Sequence, residues 1–148
     1  MSNITHKNAG KQPFMGVVRE LVAAYQAFTL CDATGLRRFD LTPPQADVLF
    51  TLGNTEGMTF KEIGKLTLIT KGTLTGVVDR LEGKGMVKRM PGHDDRRCTR
   101  VVLTAKGTKL FQTTFPRQIA YLKGRFDRLS ASDCKEMEHL LKKLKSIF

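Results

Sequence analysis

Apolar residues recur every three or four positions over most of this chain, and the pattern breaks at glycine clusters. Phe14, Val17, Val18, Leu21, Val22, Tyr25 and Phe28 predict a long amphipathic helix from Pro13 to near Gly35. Leu36 to Asp40 read as a loop or a short extra turn, and the polar residues 1–12 are expected to fray. Val48, Leu49 and Leu52 predict a second helix, opened by Thr42 and Pro43 with Gln45 placed to close a capping box, and stopped by Gly53 and Gly57. Thr59 and Glu62 make another capping box, with Met58 and Ile63 able to staple across it. They predict a short helix from Phe60 to about Leu66, with Ile63 and Leu66 facing inward. After a turn at Thr67 to Ile69, Thr70 caps a helix that runs to about Gly83 and buries Leu74, Val77, Val78 and Leu81.

The period then changes. Met86 to Met90 alternate as a strand does, and Val101 to Leu103 supply its partner across the charged loop PGHDDRRCTR. Helical spacing returns after Thr104, with Phe111, Phe115, Ile119, Leu122, Phe126 and Leu129. Pro116 inside this stripe predicts a kink or a division. Ser130 or Ser132 opens a last helix carrying Met137, Leu140, Leu141, Leu144 and Phe148.

Two helices around a short turn, followed by a hairpin with a basic tip, make a winged helix-turn-helix. The expected fold is mainly α with a small β-hairpin wing. A single domain spans 1–148, its winged lobe at about 41–107. The terminal regions, about 13–40 and 108–148, carry apolar stripes that a winged lobe does not need for itself. They read as dimerisation helices, with a second copy as the partner.

Charge adds a direction. The net charge is +11, and between Lys61 and Lys109 there are 12 Lys or Arg against 5 Asp or Glu, which places +7 in a third of the chain. Such an excess favours a polyanion. The outer face of the Thr70–Gly83 helix carries Lys71, Gly72, Thr75, Gly76 and Asp79, a face dominated by small and hydroxyl side chains that lets a partner surface approach closely. In the hairpin loop, Arg96, Arg97 and Arg100 can reach phosphates or enter a narrow minor groove. Asp94 and Asp95 are expected to orient an Arg by a bidentate pair.

Other chemistries find little support. Cys31, Cys98 and Cys134 are odd in number and widely spaced, so neither a disulfide framework nor a metal site is expected. No nucleophile–base pair, carboxylate dyad or phosphate loop stands out, so neither enzymatic activity nor a cofactor is expected. No apolar run reaches membrane length and the start, MSNITHKNAGKQP, has no signal-like stretch, so a cytoplasmic location is expected.

Several motifs together carry a resemblance. Leu41-Thr42-Pro43-Pro44-Gln45, Val78-Asp79-Arg80-Leu81-Glu82 and Gly85-Met86-Val87 are followed by Asp95, Arg97, Val101, Leu103 and Thr104 in a DxRxxxVxLT pattern, then Lys106-Gly107. Over nearly its whole length the chain resembles the MarR family of bacterial transcriptional regulators. The resemblance implies a homodimeric repressor or activator on a pseudo-palindromic double-stranded DNA operator. It implies a recognition helix at Thr70 to Gly83 in the major groove, with Thr70, Lys71, Thr73 and Thr75 near its contacts. Arg80 is implied to touch phosphate or brace the wing, and Asp95 and Arg97 to form the wing pair in the minor groove. It also implies small aromatic or phenolic effectors held between the dimerisation helices and the lobe. This chain departs from the family pattern at Gly72, at Gly76 and at Leu68, which replaces the usual turn glycine. Base readout by the helix is therefore expected to be sparse, with more weight on phosphates and DNA shape.

Tyr25, Phe28, Phe50 and Phe111 read first as core aromatics and second as the lining of an effector pocket. Cys31 reads as a core residue, with an oxidant-sensing regulator as the alternative. A non-regulatory nucleic-acid-binding winged helix protein is the remaining alternative.

Overall fold

The computed structural model describes residues 3–92 and 94–148; Met1, Ser2 and, in the charged loop, His93 lie outside the described residues. The chain divides into two compact units, residues 1–43 and 44–148.

The first unit holds α1, Met15–Leu36, flanked by short 3-10 turns at Ala9–Lys11 and Arg37–Phe39. Ahead of α1, the described residues from 3 to 12 carry local hydrogen bonds. Thr5 N donates to Asn8 Oδ1 over 2.7 Å, and Arg19 Nη2 donates to the Gly10 carbonyl over 2.6 Å. Along α1 the stripe of Val17, Val18, Leu21, Val22, Tyr25 and Phe28 is exposed, whereas Gly35 and Leu36 are buried.

In the second unit come α2, Pro43–Leu52, β1, Met58–Thr59, α3, Phe60–Thr67, and α4, Lys71–Gly83. β2, Val87–Pro91, and β3, Thr99–Leu103, precede α5, Ala105–Phe126, and α6, Ala131–Lys145. The core of this unit is Val48, Leu52, Ile63, Leu74, Val77, Val78, Leu81, Val87 and Val101. These are the stripe residues of α2, α3 and α4 together with the inward positions of the strands.

Three expectations change here. The sheet has three strands, in the order β1-β3-β2, because Met58 and Thr59 pair antiparallel with Val101 and Arg100. Gly57 makes that entry possible: its φ is +101°, and a β-carbon there would run into Val102 and the Val101 carbonyl. Leu66 does not face inward; it is 62% exposed, because the buried line of α3 steps from Ile63 to the half-buried Thr67. Pro116 does not divide α5, which runs unbroken through it. Pro116 and Gln112, whose carbonyl loses its partner to the missing N–H, are both on the exposed side, where water can satisfy that carbonyl.

Candidate nucleic-acid interface

Local sequence places α3 and α4. Thr59 Oγ1 accepts from Glu62 N over 3.2 Å while Glu62 Oε2 accepts from Thr59 N over 2.8 Å, so the expected capping box starts α3. α3 ends on Leu68, which adopts the left-handed conformation with φ +59° and donates its N–H to the Gly64 carbonyl over 3.0 Å. The turn geometry thus survives the loss of glycine. Thr70 occupies the cap position of α4, but its hydroxyl donates to Thr73 Oγ1 over 3.2 Å rather than accepting a backbone N–H. Thr70 thus holds the expected cap position without a side-chain capping bond.

Leu74, Val77, Val78 and Leu81 anchor α4, and Thr70, Lys71, Thr73, Thr75 and Arg80 are exposed. A β-carbon on Gly72 or Gly76 would meet nothing within 4 Å. Neither glycine is therefore required by internal packing, although each costs a helix interior about 1 kcal/mol relative to Ala. The face they open is smooth and unobstructed from within the protein.

Beyond α4, β2 and β3 form the wing, in a register that sets Val87 opposite Leu103 and Pro91 opposite Thr99. At its tip, Arg97 N donates to Asp95 Oδ1 over 2.9 Å, Cys98 N donates to the Asp95 carbonyl over 3.0 Å, and Gly92 N donates to the Cys98 carbonyl over 2.7 Å. Asp95 organises the loop backbone instead of clamping a guanidinium. The expected bidentate pair is absent: Arg97 Nε is 3.7 Å from one Asp95 oxygen, and its side chain is 96% exposed. Arg96 is exposed beside it. Arg100 is not a tip residue. It lies in β3 between Thr59 and Met90, and Nη1 donates to the Glu56 carbonyl, so its guanidinium is tied to the edge of the sheet.

Arg89, which the motif pattern did not single out, joins the wing to α4. Its Nη2 donates to Asp79 Oδ1 over 2.5 Å and its Nη1 to Glu82 Oε1 over 3.0 Å. The hydrogen bond that the guanidinium donates to Asp79 raises its pKa above the ordinary arginine value; desolvation opposes this, and the charges of Glu82 and Asp79 add to it. A signal for Arg89 was available. Strand alternation puts it on the same side as the buried Val87, and Asp79 and Glu82 are spaced to share a helix face.

The four aromatic candidates fall in different settings. Tyr25 and Phe28, in the first unit, are 67% and 45% exposed. In the second unit Phe50 and Phe111 pack with Phe115, at centroid separations of 6.4 Å for Phe50–Phe111, 5.0 Å for Phe50–Phe115 and 5.3 Å for Phe111–Phe115. A cavity of about 540 Å³ lies instead between α3, the first turn of α4 and β3, against Phe60, Ile69, Leu74 and Cys98. None of the four lines it. All three thiols are free; Cys98 is exposed, and Cys31 and Cys134 are half-buried. No helix among the described residues is long and apolar enough to cross a membrane.

The MarR family model matches residues 41–99, from the start of α2 to the wing. The HTH-type transcriptional regulator TtmR of Methylorubrum extorquens (strain PA1) is 40% identical over 88 residues, covering 60% of this chain and 45% of that protein. The chain spans about half the length of the curated relatives it matches, 45%, 65% and 56% for three of them. Among solved structures, AbsC, a MarR family transcriptional regulator from Streptomyces coelicolor, superposes with a TM-score of 0.81 at 23% identity over 99% of this chain and 97% of that one, a likeness of fold. Bordetella bronchiseptica BpsR, whose DNA binding is regulated by 6-hydroxynicotinic acid, gives a TM-score of 0.77 at 25% identity over 88% of this chain and 98% of that one. With its wing motif and its three-stranded sheet, the region 41–99 of this chain matches the MarR family, and the chain is similar in fold to MarR-family winged helix-turn-helix transcriptional regulators.

Proposed function

We propose that this protein is a homodimeric, sequence-specific double-stranded DNA-binding repressor released by a small aromatic or phenolic effector. The observation that carries the DNA reading is the pairing of two surfaces in one unit. One is the open face of α4, with Lys71, Thr73 and Thr75 beside the uncovered Gly72 and Gly76. The other is the wing tip, where the Arg97 guanidinium is almost fully in solvent. A smooth helix face fits the floor of a major groove, and an extended Arg fits the negative potential of the neighbouring minor groove. Arg96 and Arg80 add phosphate contacts.

The dimer reading rests on apolar faces that the described chain leaves open. α1 exposes Val17, Leu21 and Val22, and the distal part of α5 with α6 exposes Ile119, Phe126, Met137, Leu140 and Leu141. Clusters of this kind mark interfaces, and a second copy suits an operator with two-fold symmetry. The effector class is supported by BpsR, whose DNA binding responds to an aromatic acid. Repression is the default for a dimer that covers its duplex in both grooves. Such a protein acts where the chromosome is, in the cytoplasm.

Selection of bound duplexes from a random pool tests the reading. The expected result is a pseudo-palindrome with half-sites about one helical turn apart. Arg97→Ala should then weaken binding to that duplex about tenfold at fixed salt and lower the salt dependence by about one counterion. Recovery of unrelated sequences, or equal binding to an RNA pool, would overturn it.

A further inference from the structure

The wing is a two-stranded ribbon for most of its length. Its root is held by Val87 and Val101 in the core and by β1, which pairs with Val101 and Arg100, while at the tip Arg97, Cys98 and Gly92 bond within the loop itself. β1 ties the β3 edge of the ribbon, and Arg89 ties its β2 edge to α4. Arg89 sits opposite Val101, and beyond its own sheet it meets two elements at once, α4 and α3. Its guanidinium donates to Asp79 and Glu82 of α4. Its backbone N–H donates to Glu82 Oε2 over 3.1 Å, so Glu82 grips both the main chain and the side chain of one residue. The Phe60 ring of α3 lies under the guanidinium, 5.5 Å from centroid to Cζ.

We propose that Arg89 is a positioning residue for DNA binding, holding the wing at a fixed angle to the recognition helix so that both grooves are engaged together. This rests on the reading of α4 and the wing as one DNA-binding surface. A planar fork that donates to two carboxylates one turn apart fixes orientation as well as distance. Stability is a poor explanation for the arrangement. Side-chain exposures of 30% for Arg89, 59% for Asp79 and 41% for Glu82 leave the pairs well screened, and exposed ion pairs contribute little to folding. What the cluster can set is where Arg96 and Arg97 sit relative to Lys71 and Thr75.

The test uses the full chain, the selected duplex, fluorescence anisotropy at fixed salt, and thermal midpoints measured in parallel. Arg89→Met keeps the stem over Phe60 and removes the fork. It should lower affinity about tenfold while shifting the midpoint by no more than a few degrees. In that background Arg97→Ala should cost less than in the wild-type protein, because an unbraced wing already contributes less. The exchanged pair, Asp79→Arg with Arg89→Asp, should recover part of the loss. Wild-type affinity in Arg89→Met, or an Arg97→Ala penalty unchanged by Arg89→Met, overturns the proposal. So does full recovery in Arg89→Met with Asp79→Asn, which would assign Arg89 to neutralising a carboxylate near DNA and nothing more. If Arg97→Ala binds as the wild type does, the wing reading itself fails and takes this inference with it. That outcome is distinct from an impaired Arg97→Ala beside an unimpaired Arg89→Met.

Discussion

The carbonyl oxygen of Met86 occupies the space that a β-carbon on Gly107 would need. The same carbonyl accepts from Thr104 N over 3.0 Å, and Thr104 Oγ1 accepts from Gly107 N over 3.0 Å while donating to the Gly85 carbonyl over 2.6 Å. The first turn of α5 is thereby pressed onto the root of the wing, backbone against backbone. Gly107→Ala cannot be absorbed by a rotamer change, since the obstructing atom is main chain. We expect a loss of about 3 kcal/mol in urea unfolding, the upper range for overpacking. A loss below about 0.5 kcal/mol would show that the junction yields.

Gly76 makes the opposite prediction. Its α-carbon faces open space, so Gly76→Ala should stabilise the isolated protein by about 1 kcal/mol through helix propensity alone. If the smooth face lies against the floor of a groove, the same methyl should weaken binding to the selected duplex several-fold. Stabilisation with unchanged affinity would remove Gly76 from the contact surface and leave its presence unexplained.

How far these features could be read beforehand depended on how local their causes are. The capping box at Thr59 and Glu62, the Thr104 cap and the Ser130 start of α6 each involve groups three residues apart, and all three stand in the structure. β1 is two residues long, too short for a period, and exists only because Val101 and Arg100, more than forty residues away, supply its partners. For the same reason Arg100 looked like a tip residue: its tie to the Glu56 carbonyl is a long-range contact. Asp95 was placed at the right spot with the wrong partner, because an Asp two residues before an Arg suits both an Asx turn and an ion pair. Arg89 was missed because no motif contains it, and its role exists only when β2 is folded against α4.

Leu68 is the residue most at odds with its backbone. It is 88% exposed and adopts φ +59°, a region that costs an L-residue with a side chain about 1–2 kcal/mol. Leu68→Gly relieves that strain, and the added freedom of glycine in the unfolded chain returns about 0.5–1 kcal/mol of it. The net expectation is a gain of about 0.5 kcal/mol, visible as a raised thermal midpoint. A lowered midpoint would mean that the Leu68 side chain is covered in the assembled protein, and a dilution series would then show the loss growing as the protein is diluted.

The apolar faces of α1, α5 and α6 set the last expectation. Leu140 and Leu141 are exposed together on α6, and neither belongs to the core of the second unit. Replacing both by Glu removes apolar surface that lies outside the core of this unit, so the fold of each copy should be retained by circular dichroism. Light scattering should give twice the 16.6 kDa chain mass for the wild-type protein and a single mass for the double variant at micromolar concentration. DNA binding separates the consequences further. A dimer engages two half-sites through one rigid body, so its apparent affinity exceeds that of either half alone by mass action within the complex. The double variant should therefore lose most of its affinity for the full pseudo-palindrome but bind an isolated half-site as the wild type does. A wild-type protein that is monomeric in solution, or a variant that still scatters as a dimer, would exclude these helices as the pairing surface.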